Sequence, residues 1–355
     1  MSDIEEKGQG GKSVAGRLIV FVIGQAKREP RGETVQSKPI KSAPSYFGAS
    51  IPRQLVAKVE KREVAGHQIE IQTKSYQSNI LVIEASAELK DIFSEESFEV
   101  EEAMQGVCDK ILEGYGGDPN WGERYSIWAI SGYSGDPEQF FKWRSQIACF
   151  LKSEKLELDE KEIAQTLNSQ IKYARNDLVI IDWDGAFIFD PEADFASTVE
   201  LLELANFQLF KYRVLDSELD DRLRKIAKIF SKLPEKRRFF FGMPVEGKEI
   251  QNALQSIVKM RSTSLFEFEA VDRDIKLIGD WYSARLYELA AKKFKFENWR
   301  TNIKEKLETT EDIYQIVSER FSLSPERLEL LGWFILLFGW GIILFFDLWQ
   351  AFWKN

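Results

Sequence analysis

The chain is predicted to be an α+β protein: a mixed α/β head at 17–190, a long antiparallel, coiled-coil-like helical stalk at 191–322, and a single C-terminal transmembrane helix within 323–355. Three observations carry that prediction. Short apolar, β-branched runs bounded by turn residues fill the first half. From Phe195 onward apolar residues recur at three- and four-residue steps. Finally, Leu330 to Phe346 holds no charged residue.

Length and composition narrow the function classes. A chain of 355 residues is long enough for two or three structural units. The net charge of -9 and pI near 5.1 supply no overall basic field, which argues against general nucleic-acid binding. Cys108 and Cys149 are too few and too far apart for a zinc site or a disulfide framework. The single histidine, His67, opens an alternating segment between Gly66 and Gln68 and reads as an ordinary strand-end residue. No catalytic, cofactor-binding or metal-ligating set emerges.

Residues 1–16 are expected to be a disordered tail: the first eleven are acidic and Gly-containing, with neither a secretory nor an Arg-rich transit pattern. Leu18 to Ile23 is a continuous apolar run ending at Gly24, the pattern of a buried strand. Lys27 to Ser45, rich in Lys, Arg, Pro, Gly and Ser, reads as a loop. Gln68 to Thr73, Asn79 to Glu84 and Tyr125 to Tyr133 read as strands, with a helix at Ser94 to Glu113. The clearest hairpin joins Leu178 to Ile181 with Ala186 to Phe189 through Asp182, Trp183, Asp184 and Gly185, where Asp-Gly offers the positive φ of a tight turn. Asp182 and Asp184 also form a candidate carboxylate pair, although turn chemistry accounts for both.

After Pro191 a helical seam runs through Phe195, Leu202, Leu209, Asp216, Leu223 and Phe230. A second passes through Ile250, Ile257, Arg261, Ser264, Phe268 and Ile275 toward Leu289, and a third through Ile303, Leu307, Tyr314 and Phe321. Folding the first two as an antiparallel hairpin about Lys232 to Val245 sets Leu223 opposite Leu254 and Asp216 opposite Arg261, a candidate polar pair that fixes the register. Leu330 to Trp353, about 24 residues or roughly 36 Å of helix, is long enough to cross a bilayer. Trp333, Trp349 and Trp353 mark its ends, and Ser324-Pro325 precedes it as a helix start. Arg320 and Arg327 before the span place the N-terminal bulk on the cytoplasmic side. Gly332 and Gly339, seven residues apart, form a candidate face for association between spans.

The Asp177 to Asp190 hairpin, the helix LLELANFQLFKYRVLDSELDDRL at Leu201 to Leu223 and the stretch GDWYSARLYELAAKKF at Gly279 to Phe294, followed by a C-terminal span, carry a resemblance. Together they resemble the membrane-anchored family that includes the fungal proteins required for meiotic nuclear division and their prokaryotic relatives. The resemblance implies a single-span anchor and a homo-oligomer, and in eukaryotic members the mitochondrial inner membrane and a link to organellar translation. It brings no catalytic residues or cofactor. The acidic start of this chain favours a prokaryotic plasma membrane.

The leading expectation is a membrane-tethered scaffold or adaptor that binds a protein or ribonucleoprotein partner. One alternative is a channel or transport subunit laid out like the CorA-type magnesium channels. Those resemble two-span proteins with a Gly-Met-Asn signature, whereas this chain has one span and only Gly242-Met243-Pro244 in a loop. The other alternative is a hydrolase using Asp182 and Asp184.

Overall fold

The computed structural model describes residues 13–28, 33–35, 54–77, 79–232, 239–240, 243–244, 247–273, 281–321, 332–333, 335–342 and 349. Residues 1–12 of the expected tail, most of the 27–45 loop, 233–238 of the expected stalk connection and most of the 330–353 span lie outside them. In chain order the elements are β1 (Gly16–Gln25), β2 (Glu33–Val35), β3 (Gln54–Val64), β4 (His67–Gln77), β5 (Ile80–Leu89), α1 (Glu96–Gly114), β6 (Glu123–Ile130), α2 (Arg144–Leu151), α3 (Glu160–Leu167), β7 (Gln170–Ile171), β8 (Leu178–Ile181) and β9 (Gly185–Phe189). Then come α4 (Ala196–Lys232), β10 (Phe239–Phe240), β11 (Met243–Pro244), α5 (Gly247–Arg273), α6 (Trp281–Lys293) and α7 (Phe296–Phe321).

Nine strands form one sheet in the order β2-β3-β4-β5-β1-β6-β9-β8-β7. Neighbours are antiparallel except β6 with β9. Because β5 and β6 both run antiparallel to β1, β5–α1–β6 is a split βαβ unit with β1 between its strands. The mixed α and β composition of the first half is as its patterning predicts. Two expectations, one in each half, need correction. Glu33–Val35, inside the predicted loop, is a short strand paired with β3, and Met243–Pro244 pairs with Phe239–Phe240.

The chain divides into two compact units, 1–214 with 269–300 and 215–268 with 301–355. Residues 196–214 of α4 and all of α6 thus belong with the sheet, although both fall within the 191–322 expected as stalk. In the first unit β1 is the axis. Leu18, Val20 and Val22 point to one face, where they share a core with Val100, Met104, Cys108 and Leu112 of α1, all fully buried. Those four α1 residues recur every fourth position, which is one stripe of a helix. Aromatic rings fill the rest of this layer: Phe150 lies 4.2 Å from both Phe98 and Trp128, centroid to centroid, and Phe93 stacks on Trp143 at 4.7 Å. Burial among these groups pushes the Cys108 thiol up to about 12.

On the opposite face Ile19, Phe21 and Ile23 are equally buried, with α4 across the sheet and α6 against β8. Here the covering is partly ionic. Lys74 of β4 lies 2.6 Å from Glu84 of β5 and 3.0 Å from Glu203 of α4, and the Glu203 side chain is wholly buried. Burial opposes ionisation of Lys74, but the two carboxylates outweigh it and hold the ammonium above its ordinary range. Arg213 of α4 makes a second cross-layer ion pair with Glu123 of β6.

In the second unit the seams bury Leu219 and Ile226 of α4, Ile257, Ser264 and Phe268 of α5, and Ile303 and Leu307 of α7. Among the described residues no helix is long and apolar enough to cross a membrane.

Replacing Lys74 by Met keeps an unbranched stem, removes the ammonium and strands both carboxylates. The variant is expected to lose about 3 to 5 kcal/mol of stability, seen as a lower urea midpoint by tryptophan fluorescence; an unchanged midpoint would show that the triad does not seat α4.

Candidate functional site

The hairpin turn between β8 and β9 brings ionisable groups from several elements of the sheet-bearing unit together. Its backbone closes through Asp182 N–H donating to the Gly185 carbonyl at 2.8 Å, and Trp183 N–H donates to Asp182 Oδ1 at 2.8 Å. Gly185 is not among the residues with positive φ, so the expected reason for its presence is overturned. What requires glycine is space: a Cβ there would sit 2.9 Å from the Ser126 carbonyl of β6. The left-handed two-residue turn occurs instead at Ala65-Gly66, φ 48° and 76°, which delivers His67 to the start of β4. Among the described residues the ion-pair partner of His67 is Glu96, at 3.4 Å.

Two lysines from separate helices close on the turn. Lys293, the last residue of α6, is 3.1 Å from Asp182 Oδ1, and Lys152, just past α2, is 3.5 Å from Oδ2 and 2.7 Å from Glu162. The fully buried Tyr125 hydroxyl donates to the Asp182 carbonyl at 3.2 Å. Phe294 packs edge-on against both Tyr125 and Trp183, with centroids 5.7 and 6.0 Å away. Asp182, 5% exposed, is therefore held from the backbone side and from both lysines. Its arrangement is that of a clamp that pins two helices to a hairpin.

Beside it lie two carboxyls of different character. Burial pushes Asp184 up to about 6, helped by the nearby Asp182 and Glu123 charges. Glu101 of α1, 4% exposed, is pushed up to about 7 by burial despite hydrogen bonds to Ser126 and Ser153, with Asp184 adding to the rise. Gln105 links this pair of layers, donating to Glu101 at 3.4 Å and to the Ser126 hydroxyl at 3.3 Å. Both carboxyls release their protons closer to neutrality than ordinary carboxyls do. Among the described residues no group of three or more His, Cys, Asp or Glu is placed to hold a metal.

Residues 22–196 match the family model for the N-terminal domain of the uncharacterized protein MJ0711. Glu101, Ser126, Lys152 and the 182–185 turn fall inside that match; Lys293 falls outside it. The MJ0711 protein of Methanocaldococcus jannaschii is 28% identical over 313 residues, covering 87% of this chain and 90% of its own length. The similarity therefore runs well beyond the N-terminal domain into the helical part. No solved structure matches the chain.

Sequence patterning picks out the turn but none of Glu101, Lys152 or Lys293. Glu101 alone leaves a trace: it lies with Ser97, Met104, Cys108 and Leu112 on the buried stripe of α1, where a charge is costly.

The candidate stalk pair is resolved differently from expectation. Asp216 pairs with Lys306 of α7 at 2.8 Å, and Lys306 also reaches Asp220 at 2.7 Å. Arg261 pairs with Glu311 of α7 at 2.9 Å. Between α4 and α5 the Arg222 guanidinium donates to the Ser264 hydroxyl. The expected register sets Arg222 about nine residues away from Ser264, roughly two and a half helical turns. The reason is competition: α7 offers opposite charges to both helices, so charge matching between two of the three seams alone selects the wrong partner. Gly332 and Gly339 have nothing within 4 Å of a hypothetical Cβ, so neither glycine is needed to admit another part of the chain.

Two outcomes follow for measurement. Glu101 keeps its proton to about pH 7 in the fold but releases it near the ordinary 4.5 when unfolded, so the folded state binds more protons across that window and stability falls as pH rises through it. Glu101→Gln is expected to flatten this slope and to stabilise by about 2 kcal/mol at pH 8; a slope equal to that of the parent protein would place the titration elsewhere. In a double-mutant cycle Asp216→Ala and Lys306→Ala are expected to be non-additive by about 0.5 kcal/mol or more, while Asp216→Ala with Arg261→Ala adds.

Proposed function

We propose that the chain is a membrane-tethered scaffold, in which an α/β unit and a helical unit are held at a bilayer by the apolar C-terminal segment and bind a protein partner. The observation that carries this reading is the exposure of that segment. Ile335, Leu336, Leu337 and Phe338 are 67%, 58%, 67% and 76% exposed. Four consecutive helical residues point in all directions, at 100° steps. A segment apolar on every side and exposed on every side has no face to turn to a protein core; lipid is the surrounding that such a surface fits. Trp333 and Trp349, 66% and 56% exposed, add the amphipathic rings favoured at the headgroup level. The same organisation is expected of the membrane-anchored family that the 177–190, 201–223 and 279–294 stretches resemble.

The hydrolase alternative is supported less well. Asp182 is spent on its two lysines and a backbone N–H, which leaves Asp184 without a free carboxylate partner. That pairing serves the packing of helices on the sheet.

Deleting residues 329–355 is expected to release the protein from carbonate-washed membranes into the soluble fraction, with the secondary structure of the remainder intact by circular dichroism. Full-length protein found in the soluble fraction, or truncated protein still in the pellet, would rule out this tether.

A further inference from the structure

A groove of about 500 Å³ lies in the first unit between the start of α1 and the segment that follows α2. Its floor is aromatic: Phe93 and Phe98 are partly exposed there, and Phe150 lies beneath them, 4.2 Å from Phe98. Its rim is acidic. Glu95, Glu99, Glu154 and Glu157 are all exposed, and among the described residues none of the four takes part in an ion pair. Among the described residues the basic residue at the rim is Lys155, which already faces Glu102 at 3.7 Å. Leu156 stands on the lip, 72% exposed, an apolar side chain that folding does not use.

Unpaired carboxylates gathered over an apolar floor create a negative potential that nearby low-dielectric walls focus outward. A neutral ligand gains from the floor alone, and an anionic one is repelled at the rim as well. An occupant with a flat or branched apolar group between cationic groups gains from both, including cation–π attraction to the phenylalanine faces. We propose that this groove docks a basic segment of a partner protein, one aromatic or aliphatic side chain on the phenylalanine floor and flanking Lys or Arg residues against the four glutamates. The assignment rests on the scaffold reading and gives its partner a chemistry. The apolar anchor supplies affinity, while the rim supplies steering, salt dependence and the rejection of acidic sequences.

The groove carries its own reporter. Cys149 lies in its wall, its thiol donating to the Leu156 carbonyl at 3.4 Å, and the other cysteine, Cys108, is wholly buried in the core. With the full chain in micelles of a neutral detergent, the rate of Cys149 alkylation by N-ethylmaleimide is measured against rising concentrations of the capped peptide Lys-Lys-Trp-Lys-Lys and of its counterpart Glu-Glu-Trp-Glu-Glu. The lysine peptide is expected to protect the thiol and the glutamate peptide to leave it reactive. Reversing the rim, with Glu95→Lys, Glu99→Lys, Glu154→Lys and Glu157→Lys together, is expected to weaken protection about tenfold or more. Those side chains are exposed, so the fold is retained, which circular dichroism checks. Equal protection by both peptides, no protection by either, or undiminished protection in the reversed variant each overturns the proposal. Membrane fractionation of the same variant separates the two readings, since a groove that fails leaves the tether untouched and a tether that fails leaves peptide protection in place.

Discussion

The first unit is organised by one constraint: the strand Leu18 to Ile23 carries no polar side chain and is withdrawn from water on both faces. A sheet strand of that kind needs a layer on each side. The chain meets the demand from two distant regions. α1, with α2 behind its aromatic layer, covers one face from the segments adjoining the strands. For the other face the chain has used up its sheet and must bring α4 and α6, which lie beyond it in sequence. Their covering is the less apolar one. Lys74, Glu84 and Glu203 meet under α4 because β4 and β5 alternate charged and apolar residues, and a helix laid across the charged register must answer with charge.

The same economy governs the 182–185 turn. A carboxylate at the end of a hairpin ordinarily caps backbone N–H groups, and Asp182 does so. Burial then makes its charge a liability unless cations reach it. Lys152 and Lys293 arrive from helices on either side of the hairpin, and with Phe294 they turn a local device into the junction of three elements. Burial, with the neighbouring acids adding to it, makes the fold resist the charge of Glu101 and Asp184.

What was legible in the sequence follows from how local each signal is. β1, the β8–β9 hairpin and the great length of α4 are written in contiguous residues, and they stand where patterning puts them. The boundary of β6 was overextended because Gly132, at φ 72°, ends it before Tyr133. α2 and α3 are eight residues each, too short for helical periodicity to declare itself. The candidate site was half visible: turn residues carry their own chemistry in their names, whereas Lys152 and Lys293 become partners only through a fold that joins residues 111 positions apart. The stalk partners were hidden for a related reason. A seam shows which face of a helix is buried and is silent about which of several helices covers it.

β3 escaped notice because its register is obscured by charge, and that charge has a use of its own. The edge strand β2 covers only Leu55 and its two neighbours, leaving 58–64 of β3 with no further strand alongside among the described residues. Of those seven residues Lys58, Glu60, Lys61, Arg62 and Glu63 are charged. At the far edge β7 is two residues long. An open nine-stranded sheet is a template onto which stray strands can add, growing into fibres or swapped assemblies. Here one border is too short to template anything, and at the other an incoming strand would have to lay its backbone beside a row of charges of both signs. The features that blur β3 as a strand on paper are the ones that keep its edge from recruiting copies of itself.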